Sequence, residues 1–144
     1  MRASVPLLAI PLLCGCTAAQ LAPTPVASNE PDTIKGPSVT VMSGKLQRID
    51  FNSVLHADCT SAGYSTMRII TPPTHGELTT EPGVDYPVYR KDNQRYQCNL
   101  QKVPVTNVYY KSSPSYVGAD TATVEWISPI LPTSKTITYS IIVR

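Results

Sequence analysis

The chain has 144 residues, 12 of them basic and 10 acidic, and its formal net charge is +2. This balance argues against a nucleic-acid-binding protein or a polybasic membrane-surface protein, because both concentrate positive charge. Eight tyrosines against one tryptophan and one phenylalanine favour β-sheets with half-buried faces, since tyrosine combines an apolar ring with a hydroxyl.

Residues 1–16 have the pattern of a secretory signal peptide that ends in a lipobox-like motif. Arg2 is followed by a short apolar stretch, and residues 13–16 read Leu-Cys-Gly-Cys. The stretch is too short for a transmembrane helix, which needs about 20 apolar residues. The sequence is compatible with two alternative cleavage sites. Cleavage before Cys16 would place a lipid anchor on that cysteine, whereas cleavage before Gln20 would release a plain secreted protein.

The segment after the lipobox predicts a tether and a location. Thr17 follows Cys16, as is typical of lipoproteins sorted to the outer membrane. Residues 17–37 contain four prolines and few large apolar side chains, which predicts a flexible tether. Residues 38–144 then form one domain of common size. We expect an exported protein anchored to the outer membrane, facing the periplasm or the surface, with a soluble periplasmic or secreted protein as the alternative.

The cysteines predict one disulfide. Either cleavage removes Cys14 and leaves Cys16 lipidated or lost, so Cys59 and Cys98 remain as the pair in an oxidising compartment. Loop-closure entropy assigns roughly 4 kcal/mol to a bridge over about 40 residues. No CxxC pair is present and the two histidines stand apart, so we expect neither a metal site nor a cofactor.

Seven short strand-like runs follow in chain order, and no window shows sustained helical periodicity free of proline. Each run is rich in β-branched residues and bounded by glycine, proline or serine. This pattern is typical of an all-β, immunoglobulin-like antiparallel β-sandwich of about seven strands, here with one disulfide. The predicted strands are residues 38–42, 46–51, 65–70, 76–80, 105–111, 121–127 and 136–142.

Three motifs carry a resemblance to a known group of proteins. Residues 72–76 read Pro-Pro-Thr-His-Gly, residues 110–120 fit Tyr-x3-Pro-x-Tyr-x-Gly-x-Asp, and residues 139–144 read Tyr-Ser-Ile-Ile-Val-Arg. In these the chain resembles small exported single-domain proteobacterial proteins with an immunoglobulin-like or cadherin-like β-sandwich. The resemblance covers most of residues 38–144. It implies the fold but no particular activity, because such domains host many functions.

Several residues invite a catalytic or metal-binding interpretation that their sequence surroundings do not support. His75 lies in a turn motif, and no neighbour in the sequence supplies a nucleophile or carboxylate for it. His56 and Asp58 fit a loop beside a cysteine better than a metal site. Gly118 and Asp120 are typical of a turn, since the scattered acids do not form a calcium cluster. We therefore expect no enzyme.

The segment 85–97 is the best candidate for a binding loop. Tyrosine and arginine, which dominate recognition surfaces, alternate along it, and Cys98 pins one of its ends to a rigid scaffold. A solvated loop whose tyrosines pack locally is the alternative. The candidate binding residues are Tyr86, Tyr89, Arg90, Arg95 and Tyr96.

These observations predict a non-enzymatic cell-envelope binding or adhesion module that contacts an envelope or surface protein, or a polysaccharide, through this loop. It would touch the membrane through its lipid anchor alone and bind no nucleic acid. The alternative is a structural accessory subunit that pairs through an edge strand, with residues 136–143 as the candidate edge. A soluble periplasmic hydrolase is the least favoured hypothesis, because no base and nucleophile can be paired.

Overall fold

A computed structural model describes residues 33–144, so the predicted signal peptide, Cys16 and most of the predicted tether lie outside the described residues. No helix in the described part is long and apolar enough to cross a membrane. Seven strands and a short 3-10 helix make up this part: β1 (Thr33–Val41), β2 (Leu46–Asn52), β3 (Thr66–Thr71), β4 (Gly76–Asp85), the 3-10 helix (Tyr96–Leu100), β5 (Val103–Ser112), β6 (Gly118–Ile127) and β7 (Ser134–Val143).

The strands form two sheets that face each other. One sheet has the order β1-β7-β6-β3, and the other has the order β2-β5-β4. Neighbouring strands run antiparallel, except that β1 is parallel to β7. The seven-stranded sandwich and its single disulfide in the described part confirm the predicted fold class.

Alternating side chains from both sheets form the main core. Along β6, Ala122, Val124 and Trp126 are buried and the residues between them are not, which is the period-two pattern of a strand with one inner face. From Ile137 to Val143 the same alternation in β7 buries every second residue. Facing them from the other sheet are Ile49, Leu78, Val108 and Tyr110.

A second, smaller core lies apart from the main one. Its buried members are Leu55, Cys98, Val103 and Val105, with the ring of Tyr89 packed at its edge. The disulfide between Cys59 and Cys98 is formed, with an S–S distance of 2.05 Å. This confirms the predicted pairing and places the bridge within the second core.

Two strands, β1 and β4, extend furthest beyond their predicted bounds, by five residues each. From the sequence, the domain is expected to begin at Ser38. In the structure β1 begins at Thr33, because residues 33–35 already pair with β7. Gly36 and Pro37 fall within a register shift and do not end the strand. β4 continues through Pro82 to Asp85, although its proline was expected to close it, since an edge strand tolerates proline on its unpaired side.

β7 is not an edge strand. The segment 136–143, proposed from the sequence as a free edge, lies between β1 and β6 and is paired on both sides. That prediction is therefore wrong. Local sequence patterns could not reveal this, because the strand that covers the edge comes from the opposite end of the described chain.

Candidate functional site

Three loops meet at one end of the sandwich, which we call the loop end. Strands β2, β4 and β6 finish there, and β3, β5 and β7 begin there. The first loop is residues 53–65, the second is residues 86–102, and the third is residues 128–133. The candidate binding residues predicted from the sequence all lie in the second loop.

Covalent and hydrogen bonds join the first loop to the second. The disulfide links Cys59 to Cys98, and the Arg95 Nε–H donates to the carbonyl oxygen of Leu55 at 2.6 Å. Cys59 has a φ of 69°, in the left-handed region that a non-glycine residue rarely adopts. The same turn is held by hydrogen bonds from the Cys59 N–H to the His56 carbonyl oxygen at 3.1 Å and from the Thr60 N–H to Asp58 at 3.0 Å.

The first and third loops also lie close together. Gly63 has a φ of 107°, and a Cβ built on it would stand 3.4 Å from the Cβ of Pro129. Glycine suits this backbone conformation, and the space between the two loops at this point is about that of one methyl group. Together with the disulfide, this proximity makes the three loops neighbours on one surface.

The second loop is also held from within. The Asn99 amide accepts the N–H of Tyr89 at 2.9 Å and donates to the carbonyl oxygen of Tyr89 at 2.8 Å. At the base of the loop, Arg48 donates to Asp85 at 2.6 Å, and this hydrogen bond holds the pKa of Asp85 below its ordinary value. These contacts fix the path of the backbone while leaving side chains free to face solvent.

The five predicted binding residues separate into two kinds. Tyr89 and Arg95 are half-buried, and their polar atoms bond to the first loop, so they support the surface. Tyr86, Arg90 and Tyr96 are exposed and available for contact. Their role in binding stays a prediction, now narrowed to three side chains.

The exposed surface of the loop end extends beyond the five binding residues predicted from the sequence. In the second loop, Val88 is 82% exposed and Leu100 is 86% exposed. In the third loop, Ile130 and Leu131 are exposed, and the Ser128 Oγ accepts both of their backbone N–H groups at 3.4 Å. In the sequence, the run Ser-Pro-Ile-Leu-Pro at residues 128–132 could have indicated this exposed apolar pair, because it lies between two predicted strands.

The opposite end of the sandwich is closed by the buried carboxylate of Asp120. It accepts the backbone N–H groups of Thr74 at 3.0 Å, His75 at 2.9 Å and Thr121 at 2.9 Å, and the Tyr110 hydroxyl donates to it at 2.8 Å. Burial by itself would raise the pKa of Asp120, but these donors outweigh burial and lower it below its ordinary value. The Asp120 carboxylate therefore has four hydrogen-bond donors within the protein.

His75 belongs to the same closed end. Its ring stacks on Tyr116, with the ring centroids 4.0 Å apart and the planes 11° apart. The Tyr116 hydroxyl in turn donates to the carbonyl oxygen of Ala119 at 2.7 Å. The geometry fits the turn interpretation of the histidine, and His56 lies exposed at the other end of the molecule.

A further set of hydrogen bonds, centred on Tyr139, links the two sheets. The Tyr139 hydroxyl donates to Asp50 at 2.9 Å, and the Trp126 indole N–H donates to the Tyr139 oxygen at 3.4 Å. Burial, together with the charge of Asp50, raises the pKa of Tyr139, so this phenol stays protonated. Across residues 33–144, no group of three or more His, Cys, Asp or Glu side chains is placed to hold a metal ion.

Comparisons with known proteins add little to this description. No family model and no curated protein matches the chain. A solved structure, the solution structure of amebosin, is similar over 78% of this chain and 96% of its own, with 9% sequence identity and a TM-score of 0.40. A likeness this weak supports no inference about the present chain.

Proposed function

We propose that the chain is a non-enzymatic binding module of the cell envelope that acts through its loop end. One observation carries the proposal. Seven exposed large apolar or aromatic side chains lie in the three long loops of this end, whereas the shorter described loops of the opposite end carry two, Met42 and Val117. The loop end therefore presents more exposed apolar surface in total, and large exposed apolar patches are typical of interaction sites.

The chemistry of the loop end supports recognition. Exposed tyrosines and arginine supply contact area and hydrogen bonds at recognition surfaces, and loops on a rigid sandwich commonly carry binding. The disulfide and the hydrogen bonds between the Asn99 amide and the Tyr89 backbone already order the second loop. A partner that binds this loop would therefore lose less conformational entropy. A disulfide also fits an exported protein. The proposal retains the lipid anchor at Cys16 and the outer-membrane location predicted from the sequence.

The alternative, an accessory subunit that pairs through an edge strand, has less support. Each free sheet edge within residues 33–144 carries a feature that discourages pairing with another strand. β1, β2 and β3 each contain a register shift, and β4 contains Pro82, which lacks a backbone donor. The observed edges thus favour the loop end as the contact surface.

Site-specific photo-crosslinking in the native host tests the proposal. A photo-crosslinking amino acid would replace Val88 in one variant and Val117 in another. Val117 is 67% exposed at the opposite end and is therefore a matched control. We expect crosslinked products from position 88 to exceed those from position 117 at least several-fold. Equal yields, or products from position 117 alone, would contradict a binding role for the loop end.

A further inference from the structure

We infer that the loop end docks on an anionic phospholipid surface, an inference that rests on the proposed function and names its partner. The most exposed large apolar side chains of the second loop, Val88 and Leu100, are aliphatic, and the third loop presents Ile130 and Leu131. Aliphatic side chains on loop tips suit insertion among lipid headgroups, where binding strength scales with the apolar area buried. Tyrosine is likewise favoured at the membrane–water interface.

The charges around these tips are complementary to anionic lipid. Residues 86–102 contain four basic residues and one acid, although the net charge of the whole chain is small. The acid, Asp92, lies 3.4 Å from Arg90, and both side chains are highly exposed, so the pair is weak and leaves the guanidinium available. Lys91 is exposed, and the Lys102 ammonium lies 5.8 Å from the centroid of the exposed Tyr86 ring.

The path of the chain brings this end towards a membrane. β1 begins at Thr33, which pairs with Thr136 near the start of β7, so the described chain begins at the loop end. Arg144 lies at the opposite end, where it bonds to the turn after β1. A lipid on Cys16 would therefore attach the domain by its loop end and not by its Asp120 end, which favours an approach of the loop end to the bilayer. This contact would add a second membrane attachment to the lipid anchor, which is the sole membrane contact expected from the sequence.

Fluorescence quenching by brominated lipid tests the inference. The chain, as exported and processed by its host, would be reconstituted in vesicles of brominated phosphatidylcholine with about a quarter phosphatidylglycerol. Leu131→Trp would report on the loop end and Val117→Trp on the opposite end. The native Trp126 is buried and gives the same background in both variants. We expect quenching of Leu131→Trp alone.

Charge and salt supply the second part of the test. We expect Lys91→Ala to lower the docking equilibrium constant of Leu131→Trp about fivefold, since one cation near an anionic surface has that effect. Salt at about 0.5 M should reduce the quenching, because it screens the attraction. Vesicles of phosphatidylcholine alone should quench less.

Two results would overturn the inference. One is quenching of Leu131→Trp no greater than that of Val117→Trp, and the other is equal quenching with and without phosphatidylglycerol. Crosslinks from position 88 to a protein, with no quenching on vesicles, would overturn the lipid inference while leaving the proposed function standing. Absence of both crosslinks and quenching would contradict the two together.

Discussion

Asp120 unites two sequence motifs that appear independent along the chain. Its carboxylate is the end of the Tyr-x-Gly-x-Asp motif, and it binds the backbone N–H groups of Thr74 and His75 in the Pro-x-His-Gly motif. Each motif could be predicted as a turn from its glycine, proline and acidic residues. The contact between them could not, because it joins residues about 45 positions apart and depends on how the sheets face each other.

We expect Asp120→Asn to lower the free energy of unfolding by about 2–4 kcal/mol, because the amide cannot accept hydrogen bonds at both of its ends and leaves buried donors unpaired. Urea denaturation measures this change. Asp92→Asn is the control, since that side chain is exposed, and it should change the free energy by less than about 0.5 kcal/mol. A similar small effect at position 120 would show that the carboxylate is not needed.

The same carboxylate predicts a pH dependence. The pKa of Asp120 is lower in the folded chain than its ordinary value, so the ionised form is favoured by folding. Its contribution to stability is therefore complete above about pH 4 and is lost as the pH falls through the lowered, folded pKa. Urea midpoints measured across this range should fall more steeply for the native chain than for Asp120→Asn. Parallel curves would contradict this assignment.

Among the structural elements, the second loop has features that the sequence predicts and features that it does not. Alternating tyrosine and arginine correctly drew attention to this segment as an exposed one, and the cysteines predicted its attachment. The sequence did not distinguish the supporting Tyr89 and Arg95 from the exposed Tyr86 and Tyr96, because burial depends on the path of the first loop. Leu100 was missed because a lone leucine carries no local sign of exposure.

We expect the loop end to open independently of the main core, because its buried residues form a separate cluster that contains the disulfide. Replacement of both Cys59 and Cys98 by alanine should lower the free energy of global unfolding by about 4 kcal/mol. In this variant the second loop should exchange its amides through local opening, faster than β6 and β7, which exchange through global unfolding. Hydrogen exchange read by mass spectrometry measures both regions.

A matched variant separates the bridge from the backbone that it constrains. Cys59→Gly combined with Cys98→Ala should be more stable than the double alanine variant by about 1 kcal/mol, because glycine accepts the positive φ at position 59. Equal protection of the amides in the second loop, β6 and β7 of the double alanine variant would contradict independent opening. It would mean that the two cores unfold as one.

At the scale of the whole molecule, the sequence predicted the number of strands and the class of fold, because period-two patterns and turn residues are local properties. The order of strands in the sheets was beyond it, as the wrong edge assignment of residues 136–143 shows. The grouping of three loops at one end follows from that order. For this reason the sequence predicts a candidate site in one loop, whereas the candidate surface in the structure is built from three loops.

The parallel pairing of β1 with β7 has a consequence for when the domain can fold. The strand β1 has its partner in β7, so the four-stranded sheet is incomplete until residues 134–143 have been synthesised. Pairings between distant segments slow folding, because the intervening chain must first lose its conformational freedom. A nascent chain that ends before residue 134 would thus lack the central partner of β1 and β6, and the sheet could not yet be completed.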